Sequence, residues 1–147
     1  MSKITPFLWI DAPVEEVKNY YKLIFRNEAK LSGATESFDD TPGGRVDVFS
    51  ITLKDQEFRI MCTRTHGTFS DSVSFELPCK DQAEIDYYWN EFTDEGKESQ
   101  CGWCRDKYGV RWQVVPGNMS KLVDTPEALQ AMLSMKKLII ADLEAAS

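Results

Sequence analysis

The sequence of 147 residues contains one order of predicted elements twice, and this duplication constrains the fold more than any other feature. In the first half, a short apolar segment at 4–10 predicts a buried strand, and helical spacing of apolar residues predicts a helix over 13–26. Pro13 suits the first position of that helix. A polar loop is expected at 39–44 because Asp, Thr, Pro and Gly cluster there. Three strands complete the first half, with predicted ranges 29–37, 46–53 and 58–64.

The second half repeats this order. Alternating apolar and polar residues over 72–79 predict a half-buried strand. Asp81, with Glu84 three residues later, predicts the cap of a helix that ends at Gly96. A hairpin of two strands, 98–106 and 110–115, completes the second copy.

A local sequence match supports the duplication. Residues 58–61 and 110–113 each place an arginine between apolar residues, directly after a turn that contains Asp. The match is short, but it falls at the same point of the repeated element order, so we predict two copies of one strand–helix–three-strand unit in an α+β fold.

Charge and hydropathy exclude several classes of protein. The formal net charge is −7 at pH 7, which disfavours binding to a phosphate backbone, so we expect no nucleic-acid partner. No apolar run approaches the roughly 20 residues that a membrane helix needs, and the N-terminus lacks the long apolar stretch of a signal peptide. We therefore expect a cytoplasmic protein with no membrane partner, in which Cys62, Cys79, Cys101 and Cys104 are reduced thiols.

The C-terminal segment differs from both halves. A helix start is predicted at 125–127, and the following apolar residues lie at helical spacing apart from Lys136. We expect a helix docked on the body of the protein or on a partner subunit. Its predicted apolar face contains Leu129, Met132, Leu133, Ile140 and Leu143.

Two features have spacing or chemistry that suits catalysis. Cys101 and Cys104 are spaced like a redox or metal pair, but they fall in a predicted strand rather than at a helix N-terminus, so buried structural thiols are the favoured interpretation. His66 is the only histidine, and every His-dependent mechanism would need it. Its position in a turn between the halves fits an exposed loop residue better than a catalytic one, although loops also carry sites.

Nucleotide binding is not predicted, whereas the tryptophans suggest a cavity. Gly43–Gly44 lacks the strand–glycine–helix context of a phosphate loop, and no glycine motif of a Rossmann-type methyltransferase is present. Trp112 alternates with Gln113 and is expected in the core. Trp9 and Trp103 fall on other strands and either pack in the core or line a cavity.

Several motifs together resemble a known family. They are the strand Ile4-Thr-Pro-Phe-Leu-Trp-Ile10, the Tyr20-Tyr21 helix end, Gln100-Cys-Gly-Trp103 and Asp106-Lys-Tyr-Gly-Val-Arg-Trp-Gln-Val-Val-Pro116. The chain resembles the PhnB-like branch of the vicinal oxygen chelate superfamily, whose relatives include glyoxalase I, bleomycin-resistance proteins and extradiol dioxygenases. Many members of the branch carry the label 3-demethylubiquinone-9 3-methyltransferase.

The resemblance implies a fold and an assembly. It implies a single domain of two βαβββ modules that form a cup-shaped open barrel, usually as a homodimer. The implied boundaries are module one at about 1–66, module two at about 69–116 and a helical tail at about 118–147.

Metal-dependent members of the superfamily bind a divalent ion through four strand residues, typically His, Glu or Gln. The matching positions here are about Thr5 (or Ile4 or Pro6 with one residue of slippage), Met61, Ser72 and Gln113. Threonine, methionine and serine are poor ligands for such an ion, so we expect no metal cofactor and no glyoxalase or dioxygenase chemistry by the usual route. No sequence device for binding a methyl donor supports the methyltransferase label, and no cofactor of another kind is predicted.

The implied cup places aromatic and polar side chains around a ligand. The predicted ligand-binding residues are Phe7, Trp9, Arg59, Met61, Ser74, Glu76, Trp103, Arg111 and Gln113. One hypothesis is that Arg59 and Arg111 attract an anionic group while Glu76 neutralises one of them in the empty site. The alternative is that both arginines lie at the solvent rim and aid solubility.

Three functions remain open at this point. The first is a metal-free protein that binds a small, partly aromatic molecule. The second is an enzyme that uses a non-metal acid–base residue, with Glu76 or His66 as candidates. The third is a structural or regulatory dimer whose cup is vestigial.

Overall fold

The computed structural model describes residues 2–64 and 67–147, and the chain divides into two units, residues 1–68 and 69–147. Within the described residues, each unit contains one four-stranded sheet with both parallel and antiparallel pairs. The predicted α+β class and the two βαβββ modules are confirmed. We refer to residues 1–68 as module one and to residues 69–147 as module two.

Module one follows the predicted element order. Its first strand is parallel to its last, and the strand order in the sheet is β1-β4-β3-β2. The elements are β1 (Phe7–Ile10), α1 (Val14–Phe25), β2 (Ala29–Thr41), β3 (Gly44–Leu53) and β4 (Gln56–Cys62), with a single 3₁₀ turn at Arg26–Glu28 between α1 and β2.

The helix α1 is held on the sheet by one apolar stripe. Val17, Tyr21, Ile24 and Phe25 are buried at helical spacing, as the sequence pattern predicts. Pro13 takes the N-cap position, one residue before the helix, rather than the first helical position.

The predicted loop at 39–44 is wrong, because β2 and β3 extend through most of it to a turn at Pro42–Gly43. Arg45 explains how this acidic stretch stays in a hairpin, since its guanidinium pairs with Asp39 at 2.9 Å and with Asp47 at 3.2 Å. The Ser37 hydroxyl and Arg45 both bond the Asp47 carboxylate and lower its pKa.

Module two repeats the arrangement with shorter strands. Its sheet order is β5-β8-β7-β6, again with the first strand parallel to the last. The elements are β5 (Phe75–Cys79), α2 (Gln82–Asp94), β6 (Lys97–Glu98), β7 (Trp103–Arg105) and β8 (Arg111–Pro116).

The start of α2 confirms the predicted cap. The Asp81 carboxylate accepts a hydrogen bond from the Glu84 backbone N–H at 2.9 Å, and the Glu84 side chain accepts one from the Lys80 N–H at 3.1 Å. The core beneath α2 centres on Phe92, whose ring stacks on Trp112 with centroids 4.8 Å apart.

The predicted strand at 98–106 is interrupted between Ser99 and Gly102. Cys101 and Gly102 both have positive φ, and their backbone N–H groups bond the Met135 and Lys136 carbonyls at 2.8 Å. A Cβ at Gly102 would lie 2.9 Å from the Val114 carbonyl oxygen, so this close approach needs glycine.

The C-terminal tail is helical, as predicted, but it is not one continuous helix. It contains α3 (Met119–Leu122), α4 (Pro126–Leu133) and α5 (Ile140–Ala145). The break at 134–139 arises because the Gln82 side chain bonds both the Leu138 carbonyl and the Ile140 N–H. Leu143 is buried as predicted, whereas Leu129 and Leu133 are exposed.

The lengths and hydropathy of the helices bear on membrane insertion. Across 2–64 and 67–147, no helix is both long and apolar enough to cross a membrane.

Candidate functional site

The four ligand-binding residues predicted in module one lie on a single sheet face. Phe7 on β1 is opposite Arg59 on β4, and Trp9 is opposite Met61, so these side chains project to the same side. Lys18 of α1 lies 5.6 Å from the ring centroid of Phe49, which belongs to the alternate set of β3 residues. The helix therefore covers the opposite face.

The strand β2 adds two residues that the sequence analysis missed. Glu36 pairs with Val48 and Phe38 pairs with Val46, and the register between β3 and β4 places Val48 opposite Met61. Both β2 side chains therefore share the face with the predicted residues. We call this surface the aromatic face and define it by Phe7, Trp9, Glu36, Phe38, Arg59 and Met61.

The large rings of the aromatic face remain accessible. Phe7 is 54% exposed, Trp9 is 45% exposed and Phe38 is 50% exposed, whereas Val46 and Val48 between them are buried. Isolated apolar side chains are common on protein surfaces, but several large rings on one sheet face typify a recognition surface. The exposed rings make this surface the strongest binding candidate in module one.

Arg59 is the cationic group of the aromatic face. Its Nη2 lies 3.1 Å from Glu36 Oε1, and its guanidinium carbon lies 5.9 Å from the Phe7 ring centroid. The Arg59 Nε is buried and has no hydrogen-bond acceptor among the described residues. The guanidinium is therefore only partly satisfied, although the two side chains of the pair are 40% and 58% exposed.

The remaining predicted ligand-binding residues lie on the sheet of module two. Gln113 on β8 is opposite both Glu76 on β5 and Trp103 on β7, so the three share a face. The Gln113 amide donates a hydrogen bond to the Ser74 hydroxyl at 2.9 Å. Glu76 is exposed, and its carboxylate bonds no other described side chain. This face is polar.

Arg111 has a structural role that the sequence analysis did not anticipate. Its Nε bonds the Asp71 carboxylate at 2.8 Å, and its Nη1 bonds the carbonyls of Phe69 at 3.0 Å and Gly109 at 2.8 Å. The hydrogen bond from Arg111 lowers the pKa of the Asp71 carboxyl. Because the side chain is only 11% exposed, Arg111 ties the entry segment of module two to the β7–β8 turn rather than lying at a solvent rim.

Glu76 does not neutralise Arg111 within module two, and its predicted role toward Arg59 stays a prediction. Within module two the partner of Arg111 is Asp71, and within module one the partner of Arg59 is Glu36. Each arginine thus has a carboxylate from its own module.

The four positions that match the superfamily's metal ligands do not fit a divalent ion. Thr5 and Ser72 precede β1 and β5 rather than lying within them, and the Thr5 hydroxyl bonds the Lys3 carbonyl. Met61 offers a thioether, and the Gln113 amide is engaged with Ser74. Hard cations require several charged or imidazole ligands, which this set lacks. Elsewhere in the described chain, no group of three or more His, Cys, Asp or Glu could hold an ion.

The cysteine pair is not arranged for redox chemistry. Cys104 is buried in β7, whereas Cys101 lies in the turn before it and is partly exposed, which corrects its predicted place in a strand. Burial, with the nearby Asp106 and Glu98 carboxylates, raises the pKa of Cys104 to about 12. The predicted burial of the pair is therefore confirmed for Cys104 and wrong for Cys101, and Cys62 and Cys79 are also buried free thiols.

The remaining sequence predictions divide between confirmed and undescribed positions. Trp112 is buried, as predicted. Its indole N–H donates to the Asp106 carboxylate, a buried acid that the sequence analysis did not identify. Trp9 is exposed and Trp103 is partly exposed, so neither is a core residue. His66 lies outside the described residues, and its role as an acid–base candidate stays a prediction.

Comparisons with known proteins identify the family. A family model described as 3-demethylubiquinone-9 3-methyltransferase matches residues 2–115. No curated protein matches the chain. Among solved structures, a PhnB protein from Bacillus cereus is 29% identical, with a TM-score of 0.62, over 76% of this chain and 97% of that one.

Two fosfomycin resistance proteins share the fold at lower identity. FosX from Mesorhizobium loti is 12% identical, with a TM-score of 0.58, over 85% of this chain and 99% of that one. FosX from Listeria monocytogenes, in a complex with Mn(II) and sulfate, is 13% identical, with a TM-score of 0.51, over 76% of this chain and 89% of that one. The resemblance predicted from the sequence is confirmed, and the chain belongs to the PhnB-like 3-demethylubiquinone-9 3-methyltransferase family, whose neighbours PhnB and FosX are members of the vicinal oxygen chelate superfamily.

Proposed function

We propose that this protein binds a small, partly aromatic molecule on the aromatic face without the help of a metal ion. The single observation that carries the proposal is the set of three large rings, Phe7, Trp9 and Phe38, each about half exposed on the sheet face that also carries Arg59. Small-molecule sites typically combine apolar walls with a few polar groups that fix orientation.

The chemistry of the aromatic face suits a planar ligand. Each ring that stacks on an aromatic side chain contributes about 0.5–1.5 kcal/mol beyond the burial of its area. The Arg59 guanidinium already lies near the Phe7 ring, so a ligand ring placed beside it gains a further cation–π contact. Val46 and Val48 supply the apolar floor between the rings.

The metal-free part of the proposal rests on the ligand set. Thr5, Met61, Ser72 and Gln113 offer two hydroxyls, a thioether and an amide, and none of them carries a negative charge. We expect purified protein to contain less than stoichiometric Zn, Ni, Mn or Fe. Adding Mn(II) should leave both ligand affinity and melting temperature unchanged; a Mn(II)-dependent gain in either would contradict this part.

The family description names a methyltransferase, but methyl transfer is not part of this proposal. The sequence lacks the glycine-rich device that Rossmann-type methyltransferases use to hold their donor. Isothermal titration with S-adenosylmethionine checks the point, and we expect no heat of binding.

The binding proposal is tested by tryptophan fluorescence against a panel of small aromatic metabolites. We expect saturable changes with the wild-type protein and a roughly tenfold loss of affinity in Phe7→Ser, since one lost stacking contact is worth about 1.4 kcal/mol. Leu23→Ser is the matched control, because Leu23 is 75% exposed on α1 and lies away from the aromatic face. Equal losses in both variants, or no saturable change with any compound, would contradict the proposal.

We also propose, from the family likeness alone, that the protein forms a homodimer. Analytical ultracentrifugation tests this assembly, and a monomer at micromolar concentration would contradict it.

A further inference from the structure

We propose that the ligand of the aromatic face is a small aromatic carboxylate whose carboxyl group takes the place of Glu36 on Arg59. This inference rests on the proposed function and adds the chemical class of the ligand. It is carried by the unequal pairing of the Arg59 donors.

Arg59 has a donor that the protein leaves unused. Its Nη2 bonds Glu36 at 3.1 Å, but its Nε is buried with no acceptor among the described residues. A buried donor without an acceptor is costly, and such groups are rare in folded proteins. A planar carboxylate can accept from Nε and Nη2 together in the side-on bidentate geometry that guanidinium groups favour. An incoming carboxylate would thus satisfy both donors, once the guanidinium turns to bring Nε to the surface.

Glu36 is a displaceable partner. Its side chain is 58% exposed. The pairing of β2 with β3 is irregular between Ser32 and Glu36, so Glu36 lies at one end of this irregular stretch. Exposed ion pairs of this kind change an equilibrium constant by less than about fivefold. A ligand that also gains stacking contacts can therefore exchange with Glu36 without a large loss.

The position of the rings defines where the aromatic part of the ligand lies. Phe7 is directly opposite Arg59 in the register of β1 and β4, and its ring centroid is 5.9 Å from the guanidinium carbon. Trp9 follows two residues later on the same face and is 45% exposed. A carboxylate on Arg59 thus places a ring one or two bonds away against Phe7 or Trp9.

The test compares phenylacetate with 2-phenylacetamide, which has the same ring and shape but no charge. Affinities are measured by ¹H–¹⁵N NMR titration to millimolar concentrations, with the Arg59 Nε–H and Trp9 indole signals as reporters. We expect phenylacetate to bind about tenfold more tightly, since a charge-assisted bidentate pair outweighs a neutral hydrogen bond by about that factor. Arg59→Lys should remove this preference, because lysine keeps the charge but cannot form the bidentate pair.

Glu36→Gln is the more specific variant, because it removes the competing carboxylate and keeps the side-chain size. Phenylacetate affinity should rise by about two- to fivefold, the range expected for loss of an exposed ion pair, while amide affinity stays the same. Arg45→Lys and Asp39→Asn are matched controls, since they alter another exposed arginine–carboxylate pair of module one. Neither control should change the preference.

The outcomes separate this inference from the proposed function. Equal binding of acid and amide, or no gain in Glu36→Gln, would overturn the carboxylate inference and leave aromatic binding intact. If neither compound perturbs Trp9 at millimolar concentration, both fall together.

Discussion

Arg59 and Arg111 occupy equivalent positions in the two modules but have different hydrogen-bond partners and different exposure. Each lies on the last strand of its module, directly after an apolar residue, and two residues before a side chain that pairs with the first strand of that module. Arg59 has one exposed carboxylate partner, and its Nε has no acceptor in the described part of the chain. Arg111 is nearly buried and bonds one carboxylate and two carbonyls. Both modules carry an arginine at this position, and the surroundings of the two side chains differ.

The neighbouring residues follow the same division. In module one, Trp9 pairs with Met61, whereas at the equivalent place in module two Glu76 pairs with Gln113. The first pair presents an indole and a thioether to a ligand, and the second presents a carboxylate and an amide. An aromatic ligand with one anionic group therefore matches the surface around Arg59 and not the surface around Arg111.

The largest effect is expected at the β7–β8 turn, which has no counterpart of equal strength in module one. Asp106 is buried, and its carboxylate accepts from the Tyr108 and Val110 N–H groups and from the Trp112 indole. Asp106→Asn turns one acceptor into a donor and should lower the free energy of unfolding by about 3 kcal/mol. Urea denaturation measures it, and a loss below 1 kcal/mol would show that the turn does not depend on this acid.

The arginine comparison predicts the next largest effect. Arg111→Met removes three hydrogen bonds made by a largely buried charged donor and should cost about 2 kcal/mol of unfolding free energy. Arg59→Met removes one exposed ion pair and should change stability by less than about 0.5 kcal/mol. Urea denaturation of both variants tests this, and equal losses would contradict the division of roles.

The buried thiols predict how stability depends on pH. Burial, followed by the Asp47 carboxylate, raises the pKa of Cys62 to about 12, and burial with Asp106 and Glu98 does the same for Cys104. Because both pKa values lie above those of the unfolded thiols, their stabilisation is complete below about pH 8.5 and is lost as pH rises toward 12. We expect a loss of about 1 kcal/mol per pH unit for each thiol above pH 9.

Stability curves of Cys62→Ala and Cys104→Ala check the pH prediction, since each variant should show a shallower alkaline slope than the wild type. An unchanged slope in both would contradict it.

At pH 8, iodoacetamide should modify Cys101, which is partly exposed, before the three buried thiols.

The smallest effect is expected at the hairpin turn of module one. Lys54 and Asp55 both have positive φ, at 46° and 69°, whereas the β7–β8 turn places Gly109 at a φ of 86°. Asp55→Gly relieves the steric cost of the left-handed conformation and should raise the free energy of unfolding by about 0.5 kcal/mol. Gly109→Ala should lower it by about 1 kcal/mol, because alanine disfavours the same conformation. Thermal unfolding of the two variants should show shifts of opposite sign, and shifts of the same sign would contradict the assignment.

Local patterns predict the repeated elements well, because strand alternation, helical spacing and the Asp81 cap depend on neighbours in the chain. The errors arise where a distant group decides the outcome. The acidic stretch at 39–44 forms a hairpin by pairing with β3, and Arg45 pairs with Asp39 and Asp47 on it. The tail breaks at 134–139 because Gln82, more than 50 residues earlier, bonds its backbone.

The candidate site was predictable to the same extent. Arg59 and Phe7 follow from the alternation of β1 and β4. Phe38 was missed because the predicted β2 ended at 37, and Glu36 was missed because its face depends on an irregular register with β3 that the sequence does not show. The role of Arg111 was missed because two of its acceptors are backbone carbonyls, which no residue pattern shows.

A crystal structure of the protein grown with phenylacetate tests the account most directly. We predict density for the ligand ring against Phe7 or Trp9, with its carboxylate on Nε and Nη2 of Arg59 and with Glu36 turned away. Ligand bound to Arg111, with Arg59 still paired to Glu36, would contradict the account.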